Sequence, residues 1–164
     1  MSRFRILLSA VALAVGLVGI QIQSVAAAET YSDAQASAVF SFATRQLGKP
    51  FQLGANGMRK FDCSGLVYRT YAENGLLNRI GGNRTANGYF NWFKERGRIT
   101  SNPRPGDLVV WAKRGHRVSH IGIFKGYKNG RAMALSALTS GVAVHSVKGI
   151  NKPFKAYLRV DLSR

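Results

Sequence analysis

At Asn102-Pro103-Arg104-Pro105-Gly106 the sequence changes its period. Upstream, apolar residues recur at helical spacing. Downstream they fall into short runs rich in β-branched and aromatic residues, divided by Gly, Asn and Lys. Residues 32–47 predict a helix capped by Ser32, with Val39, Phe40, Ala43 and Leu47 at helical spacing and Gly48-Lys49-Pro50 as its stop. Residues 63–74 predict a second helix, capped by Asp62 and ended by Gly75. Residues 86–96 predict a third, capped by Thr85 with Gly97 behind it. After the turn, 107–112, 119–124, 132–138, 142–147 and 154–160 predict strands. Helices first and an antiparallel meander after them give an α+β domain. No repeat or low-complexity linker divides it.

The N-terminus predicts export. Arg3 and Arg5 precede an apolar run from Ile6 to Ile20, and small residues follow at Val25-Ala26-Ala27-Ala28. A charged segment, an apolar core and an A-x-A site make a cleavable leader over 1–28. The run is short for a membrane span, which needs about 20 apolar residues. No integral membrane anchor is therefore expected, and no cysteine lies near the cut for lipid attachment. One domain then occupies 29–164, long enough for a real core. The expected location is the periplasm or the secreted, wall-associated space.

Charge narrows the partners. The chain holds 24 Lys and Arg against 7 Asp and Glu, a net +17. Without Arg3 and Arg5 the mature part keeps 22 against 7, or +15, with every basic residue but Arg164 dispersed through residues 45–159. Such a field favours polyanions. For an exported protein these are peptidoglycan carboxylates, other anionic wall polymers or lipid head groups. Nucleic acid is not expected: there is no zinc-ligand spacing, RNA-recognition signature or Gly-Lys-Ser/Thr phosphate loop.

Cys63 is the single cysteine. It cannot close an internal disulfide, and an unpaired thiol in an exported chain suggests a reactive site or an intermolecular bridge. A small buried thiol acting as a hydrophobe is the other reading. Cys63 falls in the first turn of the second predicted helix, where unpaired N–H groups and the helix dipole favour an anion and can lower a thiol's pKa. A nucleophile needs a base. His120 opens the strand Ser119–Phe124, with Ile121 and Ile123 pointing to the opposite face. Cys63 and His120 are thus a candidate pair, beside the alternative of a core cysteine and a surface histidine.

The order of these motifs resembles the NlpC-type peptidoglycan peptidases, compact papain-like cysteine hydrolases, over roughly residues 36–160. The resemblance rests on Gly48-Lys49-Pro50-Phe51 with Gly54, on Phe61-Asp62-Cys63-Ser64-Gly65-Leu66-Val67, and on Arg84-Thr85. It continues in Pro105-Gly106-Asp107-Leu108-Val109 and Ser119-His120-Ile121-Gly122-Ile123-Phe124. It implies a papain-like α+β fold: N-terminal helices packed on a five- to six-stranded antiparallel sheet, with the cysteine at a helix tip. It implies Cys63 as nucleophile, His120 as general base, and no metal or organic cofactor. The implied reaction is hydrolysis of a peptide bond in peptidoglycan stem peptides, favouring γ-D-glutamyl to diamino acid. Phe51, Asp62, Ser64 and Arg84 become candidate substrate contacts. The alternatives are a basic wall-binding module on the same fold and an amidase or acyltransferase variant.

Two departures stand out. Phe51 replaces a usual tyrosine and loses its hydroxyl. The family also places His, Asn or Gln on the strand after the base, and alignment puts Leu135 there. A three-residue turn at Thr139-Ser140-Gly141 would set His145 directly opposite Leu135, offering a substitute third residue. Ser136 then points to the other face, unless the register slips by one.

Overall fold

The structure, a computed structural model, describes residues 33–162. The leader predicted over 1–28 and the cap predicted at Ser32 lie outside these residues. Helix α1 runs through residues 33–44 and gives way to turns over 45–48, a little before the predicted stop. Ala36, Val39 and Ala43 carry its core face. Helix α2, Cys63–Glu73, buries Gly65, Leu66, Val67, Thr70 and Tyr71. A 3₁₀ turn, Leu77–Ile80, leads to α3, Ala86–Glu95, capped by the Thr85 hydroxyl, which accepts the Gly88 N–H at 3.1 Å.

The strands are β1 Ile99–Thr100, β2 Leu108–Trp111, β3 His120–Lys128, β4 Arg131–Leu138, β5 Gly141–Ser146 and β6 Phe154–Leu158. They form one antiparallel sheet in the order β1-β6-β2-β3-β4-β5. The expected meander holds from β2 to β5. Strand β6 departs from it, returning across the sheet to lie between β1 and β2. Asp107 fastens that return: its carboxylate accepts the Val160 N–H at 2.8 Å, the Arg159 Nε–H at 3.0 Å and the Arg104 N–H at 2.8 Å. Strand β1 has two residues, too few to show an alternation in the sequence.

The sheet's two faces differ. Leu108, Val110, Ile121, Ile123, Leu135, Ala137, Val142 and Leu158 pack with Leu66, Val67, Tyr71, Tyr89 and Phe93 from the helices. Burying each large apolar side chain there stabilises the fold by about 1.5–3 kcal/mol. The opposite face carries a smaller cluster of Val109, Trp111, Phe124, Ala134 and Val147.

This division sets the β4–β5 register, and here the sequence expectation is corrected. Thr139 and Ser140 alone form the turn; Gly141 already pairs with Leu138. Every pairing therefore slides by one. Leu135 faces Val144, Ala137 faces Val142, and His145 faces Ala134. The expected register would have turned Val142 and Val144 away from the helices and His145 toward them. The observed one puts Leu135, Ala137, Val142 and Val144 on the core side together, which is how a buried face fixes register. Leu135 is wholly buried and does not stand beside His120's ring nitrogens.

Gly65 marks a tight approach. A Cβ there would lie 2.0 Å from the Ala55 carbonyl oxygen, which itself accepts the Asp62 N–H at 2.8 Å. Gly57 has nothing within 4 Å of such an atom. Gly65→Ala should therefore destabilise the protein by about 1–3 kcal/mol, as overpacking does, while Gly57→Ala should stay within about 0.5 kcal/mol. Urea unfolding of both variants checks this, and equal midpoints would contradict the close packing.

Candidate active site

Asp62 builds the entry to α2. Its Oδ1 accepts the Gly65 N–H at 2.6 Å and the Ser64 hydroxyl at 2.9 Å. Its Oδ2 accepts the Gly54 N–H at 2.8 Å. One carboxylate thus caps the helix and pins the preceding loop, leaving Cys63 in the first turn at the mouth of a cleft. That cleft, about 600 Å³, is lined by Phe51, Asp62, Cys63, Ser64, His120 and Lys152 among others.

The Cys63 sulfur faces the backbone N–H groups of Ile121, Ser64 and Cys63 itself, and each favours the thiolate. Burial outweighs them. Desolvation is the largest influence and, with the nearby Asp62 charge, pushes the thiol above its ordinary value. The lowered value expected from the helix tip is not what this site gives.

His120 is 4% exposed, at the start of β3. Its Nε2 lies 3.0 Å from the Ser136 hydroxyl oxygen. That oxygen lies 2.8 Å from Nε2 of His145, whose Nδ1 lies 3.0 Å from the Ser146 carbonyl oxygen. Trp111, the cross-strand partner of His120, backs both imidazoles at centroid distances of 5.1 and 5.8 Å. Its Nε1–H donates to the Val147 carbonyl at 2.8 Å and fixes the indole. Burial first, then the charges of Lys152 and His145, push His120 down to about 4. Burial also lowers His145, against the pull of the Ser146 carbonyl.

Cys63, His120, Phe51, Asp62 and Ser64 share the cleft; Arg84 does not. Arg84 lines an adjoining groove with Gly54, Asn56 and Thr85, and its Nε–H donates to the Gly81 carbonyl at 2.7 Å. His145 reaches His120 only through Ser136. Neither Ser136 nor Trp111 was picked out from the sequence as part of the site. The core face of β4 would have revealed Ser136: with Leu135 and Ala137 inward, Ser136 must point to the His120 side. Gly122 makes room for it, since a Cβ there would sit 2.9 Å from the Ser136 Cβ. Among the described residues no group of three or more His, Cys, Asp or Glu could hold a metal, and no helix is long and apolar enough to cross a membrane. A thiol, an imidazole and convergent N–H donors in one cleft can carry out acyl transfer.

The family model described as the NlpC/P60 family matches residues 48–159. A Listeria grayi protein named "Probable endopeptidase p60" is 36% identical over 118 residues, 72% of this chain and 21% of that one. The "Murein DD-endopeptidase MepH" of Escherichia coli K12 is 36% identical over 84 residues, 50% of this chain and 30% of that one. The chain thus matches less than a third of the length of either relative. The crystal structure of the NlpC/p60 domain of peptidoglycan hydrolase SagA superposes with a TM-score of 0.57 at 23% identity, covering 76% of this chain and 98% of that domain. The P60 domain of a Mycobacterium avium paratuberculosis antigen gives 0.57 at 21% identity, over 80% and 97%.

Buried neutral imidazoles tie stability to pH. His120 has a folded-state value of about 4, below the unfolded value of about 6.5, so the unfolded chain binds the proton more readily. The stability held in its neutral form is complete above about pH 6.5 and is lost as the pH falls toward about 4. Wild type should lose about 2–3 kcal/mol more between pH 7.5 and 4.5 than His120→Gln does. Denaturant titrations at both pH values read this, and parallel losses would contradict it.

Proposed function

The chain belongs to the NlpC/P60 family, and on that footing we propose that it is an exported cysteine endopeptidase that hydrolyses a peptide bond in peptidoglycan stem peptides. Cys63 is the nucleophile and His120 the general base. The observation that carries this reading is their place in one cleft, with the sulfur facing three backbone N–H groups and His120 Nε2 engaged by Ser136. That engagement leaves Nδ1 as the nitrogen free for the thiol.

The resting pair is a neutral thiol beside a neutral imidazole. As the sulfur attacks the scissile carbonyl carbon, His120 Nδ1 takes the thiol proton, the C–S bond forms, and charge moves to the carbonyl oxygen. Backbone N–H groups at the α2 tip are placed to receive that charge. Collapse breaks the C–N bond, and the amine leaves with the proton from His120. Water, giving its proton to the same nitrogen, then attacks the thioester. The acid product leaves and the Cys63 thiol is restored. Phe51 and Ser64 line the cleft, with Asp62 as the positioning group beneath them. The leader predicted over 1–28 supports action outside the cytoplasm, and the +15 expected on residues 29–164 suits a carboxylate-rich substrate.

The family resemblance favours a γ-D-glutamyl to diamino acid bond. The relative named a murein DD-endopeptidase favours a D,D bond as the second reading. Mass spectrometry of fragments released from purified peptidoglycan separates the two. Cys63→Ala should release none; release at the wild-type rate would refute the assignment. If purified wall binds the protein and no fragment appears, the wall-binding module takes its place. A different severed bond would make it an amidase or acyltransferase.

Two further outcomes follow from the site's electrostatics. Iodoacetamide should alkylate Cys63 with a midpoint above that of an ordinary thiol, about 8.5; rapid alkylation already saturated at neutral pH would mean a preformed thiolate–imidazolium pair. Retention on insoluble peptidoglycan should weaken steeply with salt, because exposed charges are screened beyond about 8 Å at physiological ionic strength. Salt-independent retention would remove the dispersed charge from that role.

A further inference from the structure

The buried chain from His120 through Ser136 to His145 ends on a group with a fixed role. The Ser146 carbonyl oxygen only accepts. The contact at 3.0 Å therefore requires the proton on His145 Nδ1. In the neutral ring Nε2 is then an acceptor, so the Ser136 hydroxyl donates to it across 2.8 Å. The Ser136 oxygen, its hydrogen spent, accepts from His120 Nε2–H at 3.0 Å. Each donor meets one acceptor only in this direction. His120 Nδ1 is left with its lone pair and no proton.

We propose that Ser136 and His145 are positioning residues forming a one-way relay from the Ser146 carbonyl, which locks His120 in the tautomer able to accept the Cys63 proton. This deepens the proposed function and rests on His120 being the general base. The relay also stabilises the imidazolium during turnover, since the His120 Nε2–H then donates a charge-assisted bond to Ser136. It answers the missing third polar residue with two side chains: Ser136 reaches His120, and His145 fixes the direction of the Ser136 hydroxyl.

The relay has one vulnerable state. When His145 gains a proton on Nε2, both of its nitrogens donate. Ser136 must then accept from His145 and turn its hydrogen toward His120 Nε2, which can accept only if the His120 proton moves to Nδ1. The base loses its lone pair although His120 itself has gained no proton. The charged and titratable groups that line the cleft with His120 are Cys63 and Asp62 from the α2 end, Arg117 from the loop before β3 and Lys152 from the segment before β6, whose charge acts on the His120 ring. Trp111 closes the remaining side without a charge.

The test begins with nitrogen-15 NMR of imidazole-labelled wild type near neutral pH, with the exposed His116 as reference. The expected result is a proton on Nδ1 of His145 and on Nε2 of His120. A proton on Nε2 of His145, or on Nδ1 of His120, overturns the relay. Turnover on soluble muropeptides gives the second arm. Ser136→Ala and His145→Leu should each lower kcat on the order of 10²-fold, within the range of proton-transfer catalysis, with KM changed less than about twofold. In His145→Gln, Oε1 can take the Ser136 hydroxyl but does not titrate. It should recover at least about tenfold over His145→Leu, and the acid limb of kcat/KM should move to lower pH. A glutamine variant no better than leucine, or one with the wild-type acid limb, overturns the proposal. If wild type cleaves no wall fragment, the proposed function fails while the NMR result still decides the relay.

Discussion

The antiparallel register of β3, β4 and β5 is the constraint on which the site depends. Alternation leaves each residue one of two sides. Packing Leu135, Ala137, Val142 and Val144 against the helices therefore sends Ser136 and His145 to the side where His120 stands. A slip of one residue would bury an imidazole among the helices and strip His120 of its partner. The same hydrophobic burial that stabilises the sheet thus chooses the hydrogen bonds of the candidate active site. Gly122 permits it by leaving space for the Ser136 side chain.

The second arrangement is a competition at the tip of α2. Helix N–H groups and the Ile121 N–H draw negative charge onto sulfur, and burial opposes them and wins. The opposite pressure acts on His120, where burial and Lys152 disfavour the cation. Both groups rest uncharged, which removes the cost of holding an ion pair in a poorly solvated cleft. In the proposed reaction the proton moves only when substrate arrives. The N–H groups that fail to ionise the resting thiol remain available for charge that develops during the reaction.

Much of this was legible in the sequence for particular reasons. Asp62 and Thr85 announced their helices because cap chemistry is local, and both accept the expected N–H groups. The change of period at residues 102–106 placed β2 to β5 because alternation is also local. Strand β1 escaped because two residues carry no period, and the return of β6 escaped because it depends on Asp107 meeting Arg159 and Val160, more than fifty positions away. The expected pairing of His145 with Leu135 failed because turn chemistry at Thr139-Ser140-Gly141 constrains register less than the apolar pattern of both strands does. Ser136 followed from that correction, and Trp111 required knowing which residue pairs with His120.

As the proposed nucleophile, Cys63 would form a covalent acyl bond during cleavage of wall peptides. Acid-quenched intact-protein mass spectrometry during turnover of muropeptides reads it directly. The expected result is a transient adduct with the mass of the acyl fragment, on the peptide containing Cys63, lost on treatment with hydroxylamine as a thioester is. Continuous product release with no adduct at any quench time, together with release by Cys63→Ala, would contradict it.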